Sequence, residues 1–369
     1  MSLNSQIEWT DATWNPLRGC SRVSTGCEHC YAERQAGRLS GPGQPYAGLV
    51  RKTSQGWRWT GAVRLIAQEL ETPLRWTKPR RIFVTSLSDL FQEAVSEDLI
   101  DAVLAVMALA PQHTFQVLTK RPARMMAYMT ERWPLARVQS LTLSGRRLDR
   151  PAEPPGADRH RQILNAAERL RHGPLDEQAR FWTPEGGPLS HAHPWPLPNV
   201  WLGTSVEDQA TAEARIPWLL QTPAAVRFVS YEPALEAVDF SPWLGADLET
   251  TTGPCLPAEL WSVRGLDWVI CGGESGPHAR PCRTRWLRQV VRQCAAAAIP
   301  CFVTQVGSRP TCDQADAWPD DTRWTAGETP PGADTPYARG VKLKDPQGAD
   351  PSEWPDDLRC QQFPETAHG

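Results

Sequence analysis

Short apolar runs alternate along the chain with segments that have the period of a helix. Each run is apolar almost throughout and ends in polar residues or glycine, and the runs cover residues 7–10, 81–89, 114–121, 199–207, 226–233, 266–275 and 301–307. Continuous apolar runs are typical of strands that are buried on both faces of a parallel sheet. The sequence therefore predicts about seven parallel strands.

The segments between the runs carry the apolar stripe and the end signals of helices. Ser96 precedes one of them, with Glu97 and Asp98 in the predicted first turn, where a capping hydroxyl and negative charge are favourable. Two more helices are predicted at residues 208–220 and 285–298. Strand and helix in alternation predict an α/β fold.

Polar residues at the carboxyl end of every predicted strand favour one parallel architecture. In a barrel these ends form one mouth, where functional residues gather. We therefore expect a partial (β/α) barrel of six or seven parallel strands, with an open doubly wound sheet as the alternative. This barrel would cover residues 1–308, with a Pro- and Arg-rich insertion at 135–197 and a smaller insertion at 240–264, and an irregular C-terminal extension would follow at 309–369.

Composition and charge exclude several classes of protein. Of the 369 residues, 40% are hydrophobic and 22% are charged, as in globular proteins, and the formal net charge is -3. A balance this close to neutral argues against a protein that coats nucleic acid by bulk charge, while a local basic groove remains open. No apolar run reaches the roughly 18 residues of a membrane span, and the first residues lack the pattern of a signal peptide. We expect a cytoplasmic protein without a membrane partner.

Three of the ten cysteines form the sharpest motif of the sequence. Cys20, Cys27 and Cys30 have the spacing C-x6-C-x2-C in a loop after the first strand, and Gly19 and Gly26 give that loop backbone freedom. Three thiolates can hold three irons of a [4Fe–4S] cluster and leave the fourth iron open to an outside ligand. From the spacing alone, a zinc ion with a fourth ligand from elsewhere is equally favoured, and cysteines that bind no metal are the remaining alternative. The predicted position of the cysteines at the mouth of a barrel favours the cluster, because a catalytic cluster must lie there and a structural zinc ion need not.

The cysteine loop resembles that of a known superfamily. The segment WNPLRGCSRVSTGCEHCYAE, which opens a predicted β/α barrel, is similar to the cysteine loop of radical S-adenosylmethionine enzymes. The usual spacing there is C-x3-C-x2-C with an aromatic residue before the last cysteine, whereas here the first gap is three residues longer and His29 takes the aromatic place. At closer range, the blocks VTSLSDLF, FQVLTKRP, VWLGTSVE, RFVSYEP and WVICGGESG resemble a family of phage and prophage proteins of unassigned function, distantly similar to spore photoproduct lyase.

The resemblance implies an enzyme with a [4Fe–4S] cluster on the three cysteines and S-adenosyl-L-methionine on the open iron. One-electron reduction would cleave S-adenosylmethionine to methionine and a 5′-deoxyadenosyl radical, which would abstract hydrogen from a substrate. The implied partners are an electron donor of the flavodoxin or ferredoxin type, a nucleic acid base or nucleotide as substrate, and an accessory protein.

Polar residues at other strand ends are candidates for the same site. Gly272 and Gly273 would let a ligand approach the backbone, and the resemblance implies that Glu274 holds the amino group of the methionine moiety. A plain strand-to-helix turn is the alternative there. Further candidates for cofactor binding are Ser205, Glu207 and Glu232. Candidates for substrate binding are Lys120 and Arg121, which suit a phosphate or carboxylate, and Ser86 and Asp89.

Two other functions remain open at this point. A zinc-stabilised protein of mobile elements would bind nucleic acid or a partner protein without catalysis and would not cleave S-adenosylmethionine. A metal-dependent hydrolase on the same barrel is the third alternative, although no His pair with the spacing of such a site occurs in the sequence.

Overall fold

A computed structural model of the chain describes most of the predicted barrel. The described residues are 5, 7–130, 159, 163, 166, 167, 195–245, 265–312, 318, 319, 322–325 and 339–365. The predicted insertions at 135–197 and 240–264 lie largely outside these residues.

Seven parallel strands form the main sheet. They are β1 (Ala12–Trp14), β2 (Arg81–Val84), β3 (Thr114–Thr119), β4 (Val200–Val206), β5 (Val226–Tyr231), β6 (Trp268–Gly272) and β7 (Cys301–Gln305). Their order in the sheet is their order in the chain, and every neighbouring pair is parallel. In a doubly wound sheet the strand order reverses, so the sequential order identifies a barrel type of winding. The predicted partial (β/α) barrel is confirmed.

Alternation of side chains explains why the apolar runs are continuous. In β2, Ile82 and Val84 belong to the large core on the helix side, whereas Phe83 between them lies in a second cluster on the concave side. That concave cluster consists of Trp9, Phe83, Trp201, Val226, Phe228, Trp268, Ile270 and Phe302. Both faces of the sheet therefore bury apolar side chains.

The ring of Trp9 shows how far the sheet curls. Its centroid lies 4.7 Å from that of Phe83 on β2 and 6.3 Å from that of Trp268 on β6. These strands are four spacings apart, about 19 Å in a flat sheet. One tryptophan ring contacts both strands because the sheet closes partly around it.

The first predicted strand is displaced along the chain. Residues 7–10 form a turn, closed by a hydrogen bond of 3.1 Å from Thr10 N to Ile7 O, and β1 begins only at Ala12. This turn directs Trp9 into the concave cluster. The prediction of a strand at 7–10 is wrong because the apolar residues there bury one ring instead of extending along a neighbouring strand.

Helices flank the sheet in the described residues. The longer ones are α1 (Tyr31–Arg38), α2 (Glu97–Leu109), α3 (Pro122–Thr130), α4 (Gln209–Leu220) and α5 (Thr284–Ala296). α2, α4 and α5 correspond to the three predicted helices. Asp208 caps α4, since its Oδ1 accepts from Thr211 N at 2.7 Å while Thr211 Oγ1 accepts from Asp208 N at 3.1 Å. Within the described part of the chain, no helix combines the length and apolar character that crossing a membrane requires.

Two short antiparallel pairings lie beside the cysteine loop. Leu17–Arg18 pairs with Arg64–Leu65, and Val50–Thr53 pairs with Gly56–Trp59. The second pairing and α1 share a small apolar cluster that contains Ala36. Cys20 and Cys30 pack against this cluster, which therefore supports the cysteine loop.

Residues after 308 take part in the fold. Pro310–Cys312, Arg323–Thr325 and Arg339–Lys342 are short strands that form a small sheet with Cys282–Arg283. The sequence predicted an irregular extension because strands of two to four residues carry too little pattern to be recognised.

The last described segment pairs with the outer edge of β7. Val303 N donates to Cys360 O at 2.7 Å, and Gln362 N donates to Cys301 O at 2.9 Å. This pairing covers an edge that would otherwise present free backbone groups to another chain. The C-terminal residues therefore complete the barrel wall at the last strand.

Candidate functional site

The loop from residue 19 to residue 30 carries the three cysteines and lies at the carboxyl ends of the strands. Cys20, Cys27 and Cys30 all line one cavity of about 490 Å³, a volume within the range of small-molecule sites. Trp9 and Phe83 of the concave cluster form part of its apolar lining. The structure thus brings the three predicted metal ligands to the mouth of the barrel.

Gly19 begins the loop in a conformation that favours glycine, with a φ of 95°. A Cβ at this position would lie 2.1 Å from the carbonyl oxygen of Ala62. The carbonyl oxygen of Gly19 accepts from Ser88 Oγ at 2.5 Å, which attaches this end of the loop to the segment after β2. Glycine is therefore required here by both the turn and the close approach.

A buried carboxylate lies directly beneath the middle of the loop. Glu207 follows β4 and has no exposed side-chain surface. Its Oε1 accepts from Ser24 Oγ at 2.9 Å and from Lys120 Nζ, and its Oε2 accepts from Arg215 Nη1 at 3.0 Å. A Cβ at Gly26 would lie 2.4 Å from Glu207 Oε1, so the loop backbone rests on the carboxylate. Two residues predicted to bind ligands, Glu207 and Lys120, thus bind each other and hold the loop.

A second ion pair fixes the residue next to Cys20. Arg121 Nη1 donates to Asp89 Oδ2 at 2.8 Å, and both side chains are more than nine-tenths buried. Arg121 Nη2 also donates to Ser21 Oγ at 2.5 Å, and Arg121 Nε donates to Glu93 Oε1 at 2.8 Å. The predicted substrate-binding residues Asp89 and Arg121 therefore position the loop as well.

Glu274 fixes the segment between Cys27 and Cys30. Its Oε2 accepts from Arg280 N at 2.8 Å and from Arg280 Nε at 2.9 Å, and it lies 3.1 Å from His29 Nδ1. Its Oε1 accepts from Arg280 Nη2 at 2.7 Å. Arg280 Nη1 reaches across to the carbonyl oxygen of Thr25 at 3.1 Å. The carboxylate that the resemblance assigns to an amino group thus has most of its acceptor sites occupied by the protein.

Gly272 and Gly273 allow β6 to lie close to its neighbour β7. A Cβ at Gly272 would lie 2.3 Å from Thr304 Oγ1, and one at Gly273 would lie 2.5 Å from the carbonyl oxygen of Val306. Gly273 also lines the cavity. The need for glycine at both positions therefore follows from strand packing alone.

Glu232 is a carboxylate at a strand end that keeps hydrogen-bonding capacity for a ligand. It follows β5 and lines the cavity, where its Oε1 accepts from Thr304 Oγ1 at 2.6 Å and its Oε2 accepts from Ser230 Oγ at 2.9 Å. Each oxygen keeps a second lone pair for a further donor. Burial raises the pKa of Glu232, and hydrogen bonds from Thr304 and Ser230 oppose that rise. Ser205 and Ser86, two other predicted site residues, line the same cavity.

Some cavity residues escape prediction from the sequence. Ser230 follows the inward-facing Phe228 by two residues, and Thr304 follows Phe302 in the same way. Because side chains two apart on a strand share a face, this alternation could have predicted both residues. Arg34 on α1 also lines the cavity. A Cβ at Gly276 would lie 2.9 Å from Arg34 Nη1. No local pattern distinguishes Arg34 from an ordinary arginine on a helix surface.

The environment of the thiols makes their anions costly unless positive charge is supplied. Burial, with a smaller effect of Asp89, raises the pKa of Cys20 to about 12, and burial also raises the pKa of Cys30. A metal or cluster bound by thiolates would supply the missing positive charge. Within the described residues, no three His, Cys, Asp or Glu side chains are already gathered around one metal position.

Replacing Glu274 by Gln should change how stability depends on pH. Burial would raise the pKa of Glu274, but hydrogen bonds from Arg280 and His29 outweigh it and lower the pKa from its ordinary 4.5. A lowered carboxyl pKa contributes stability that is fully present above pH 4.5 and is lost as the pH falls through the lowered pKa. Urea titrations should therefore show the variant less stable by about 2 kcal/mol at neutral pH, with the difference shrinking below pH 4.5.

Glu236→Gln removes an exposed carboxylate and serves as the control. It should follow the wild-type protein over the whole pH range. A deficit of Glu274→Gln that stayed constant down to pH 2 would show that the carboxylate charge has no part in holding the loop.

Comparison with known proteins identifies the family of the chain. The family model described as "Protein of unknown function (DUF5131)" matches residues 4–330, which include the cysteine loop and all seven strands of the main sheet. Neither the curated proteins nor the solved structures gave a significant match. The chain therefore belongs to DUF5131, a family of proteins of unknown function.

Proposed function

We propose that this protein is an iron–sulfur enzyme of the radical S-adenosylmethionine type. The observation that carries the proposal is the gathering of Cys20, Cys27 and Cys30 on one cavity at the mouth of a β/α barrel. Three thiols are the donor set that a [4Fe–4S] cluster with one open iron requires. The resemblance of the cysteine loop to radical S-adenosylmethionine enzymes gives the same set of ligands.

The chain's own residues fit the role of holding such a cluster in place. Three residues between or beside the cysteines are each held by an ion pair at the end of a different strand. They are Ser21, Ser24 and His29. Within the loop, Arg22 donates to Glu33 Oε2 on α1 at 2.6 Å. These contacts fix the residues beside the cysteines, so that binding of a cluster would require the three thiols to turn toward one another on a supported loop.

The cavity offers opposite charges for the two ends of an amino acid. Glu232 has free lone pairs for an ammonium group, and the guanidinium of Arg34 suits a carboxylate. Glu274, the candidate from the resemblance, is occupied by Arg280 and His29. Within the proposed function, Glu232 and Arg34 therefore orient the methionine moiety of S-adenosylmethionine, and the apolar lining around Trp9 and Phe83 excludes water from the nucleoside.

Cys20, Cys27 and Cys30 would hold the cluster, which would supply the electron for reductive cleavage of S-adenosylmethionine to methionine and a 5′-deoxyadenosyl radical. The electron would come from a reduced flavodoxin- or ferredoxin-like donor. The radical would take a hydrogen atom from the substrate, and the barrel would orient both partners. The resemblance supports a nucleic acid base or nucleotide as that substrate.

Cleavage of S-adenosylmethionine tests the proposal. The protein is purified without oxygen, reconstituted with iron and sulfide, reduced, and assayed for 5′-deoxyadenosine by chromatography. We expect product from the wild-type protein and from Cys312→Ala, which removes a buried thiol of the small sheet. Cys27→Ala should reduce product to background, because two cysteines cannot hold the cluster.

Two outcomes would contradict the proposal. Cys27→Ala protein that still produced 5′-deoxyadenosine would show that the loop does not hold the catalytic centre. Wild-type protein with one tightly bound zinc and no cleavage would favour the non-catalytic, zinc-stabilised alternative.

Glu232→Gln should weaken binding of S-adenosylmethionine without loss of the cluster. A hydrogen bond to a charged group is worth about 1.5–3 kcal/mol, so the half-saturating concentration should rise about 10- to 160-fold. Glu274→Gln is the matched control, because it removes a carboxylate that contacts the loop. It should lower the iron bound per chain and leave the half-saturating concentration of the loaded fraction close to wild type. The reverse pattern would assign the ammonium to Glu274.

A further inference from the structure

Four cysteines outside the cavity gather at the last strand of the sheet. Cys271 on β6, Cys294 on α5 and Cys301 on β7 are buried, and Cys360 in the last described segment is half-buried. Cys271, Cys294 and Cys301 belong to the same buried core cluster, and Cys360 packs against that cluster. None of them is among the described residues that line the cavity. The proposed function therefore makes no use of this cluster.

The pairing of the C-terminal segment with β7 places Cys360 beside Cys301. Phe302 and Gln361 are directly opposite in an antiparallel bridge, so Cys360 faces Val303 and lies on the same side of the pair as Cys301. Cys360 Sγ donates to the carbonyl oxygen of Cys301 at 3.3 Å. The sulfur of Cys360 thus lies over the backbone of Cys301, and the two residues are diagonal neighbours across the two strands.

The two thiols differ in the way that a reactive and a resolving cysteine differ. A hydrogen bond from Cys301 lowers the pKa of Cys360, and a lowered pKa favours the thiolate form that reacts with peroxide. Hydrogen bonds with the neighbouring thiols, together with burial, raise the pKa of Cys301 well above its ordinary value. Cys360 is also the more exposed of the two, because Cys301 has only 2% of its surface accessible.

We propose that Cys360 and Cys301 form a reversible redox pair that oxidation with hydrogen peroxide converts to a disulfide. The Cys360 thiolate attacks one peroxide oxygen, the O–O bond breaks, and a sulfenic acid and hydroxide result. The sulfur of Cys301 then attacks the sulfur of Cys360, an S–S bond forms, and water leaves with the Cys301 proton. Two thiols lose two electrons to one peroxide, and a thiol reductant such as glutathione reverses the change.

The disulfide would join the C-terminal segment covalently to the edge of the sheet. β7 also contributes Thr304 and Gln305 to the cavity wall, and Thr304 holds Glu232. Oxidation would therefore fix the strand that supports one wall of the candidate site. The redox pair does not depend on the proposed function, since it requires only the C-terminal pairing and the two thiols.

Peptide mass spectrometry of peroxide-treated protein tests the pair. Reduced full-length protein is treated with one equivalent of hydrogen peroxide at pH 7, blocked with N-ethylmaleimide, digested and analysed before and after dithiothreitol. We expect a cross-linked peptide containing Cys301 and Cys360 that dithiothreitol removes. In Cys301→Ser, Cys360 should stop at the sulfenic acid and be captured by dimedone, and Cys312→Ser, the control, should keep the cross-link.

The peptide readout separates this pair from oxidation of the cysteine loop. Wild-type Cys360 that stays fully alkylated by N-ethylmaleimide after peroxide would overturn the proposal. So would a cross-link of Cys360 to Cys294 or Cys271 in the wild-type protein. Because the decisive measurement uses the wild-type chain, it does not depend on whether a variant folds.

Discussion

The buried carboxylate of Glu207 is the interaction on which the position of the cysteine loop depends. A fully buried carboxylate costs several kcal/mol in lost hydration unless opposite charges and hydrogen bonds offset it. Here Lys120 after β3, Arg215 on α4 and the loop hydroxyl of Ser24 supply them. Removing one partner from such a buried pair typically costs about 3–5 kcal/mol. The carboxylate of Glu207 therefore joins the barrel to the loop, and it needs partners from both. Above it only glycine fits at position 26, because a Cβ there would lie too close to the carboxylate.

The same arrangement recurs at other strand ends. Asp89 with Arg121 holds Ser21, and Glu274 with Arg280 holds His29. In each case an acid at a strand end is neutralised by a basic residue, and the remaining hydrogen-bonding capacity of the pair contacts the loop. The polar mouth of the barrel thus consists mostly of supports for the cysteines. The cavity residues left to meet a ligand include Glu232, with Ser230 and Thr304, and Arg34.

Much of the fold could be predicted because its causes are local. Continuous apolar runs predicted buried parallel strands, helix-period segments predicted α2, α4 and α5, and the place of Cys20, Cys27 and Cys30 after the first strand predicted their position at the mouth. The exceptions have physical reasons. The turn at 7–10 buries one tryptophan, and the C-terminal strands are too short to show a period.

The division of the polar residues between support and cavity could not be predicted. Glu207 meets Lys120 across 87 positions of the chain, and His29 meets Glu274 across 245. Such contacts depend on strand register and on the curl of the sheet, and no local pattern contains them. Ser230 and Thr304 are different, because their alternation with Phe228 and Phe302 was visible in the sequence.

Metal analysis joined to Mössbauer spectroscopy tests the central claim most directly, namely that the supported cysteine loop holds an iron–sulfur cluster. Protein purified and reconstituted without oxygen should contain about four iron and four sulfide per chain, with the spectrum of a cubane cluster. Glu207→Gln protein should bind less iron under the same conditions, because its loop has lost its buried anchor. A single tetrahedral zinc per chain, bound equally by both proteins, would contradict the account.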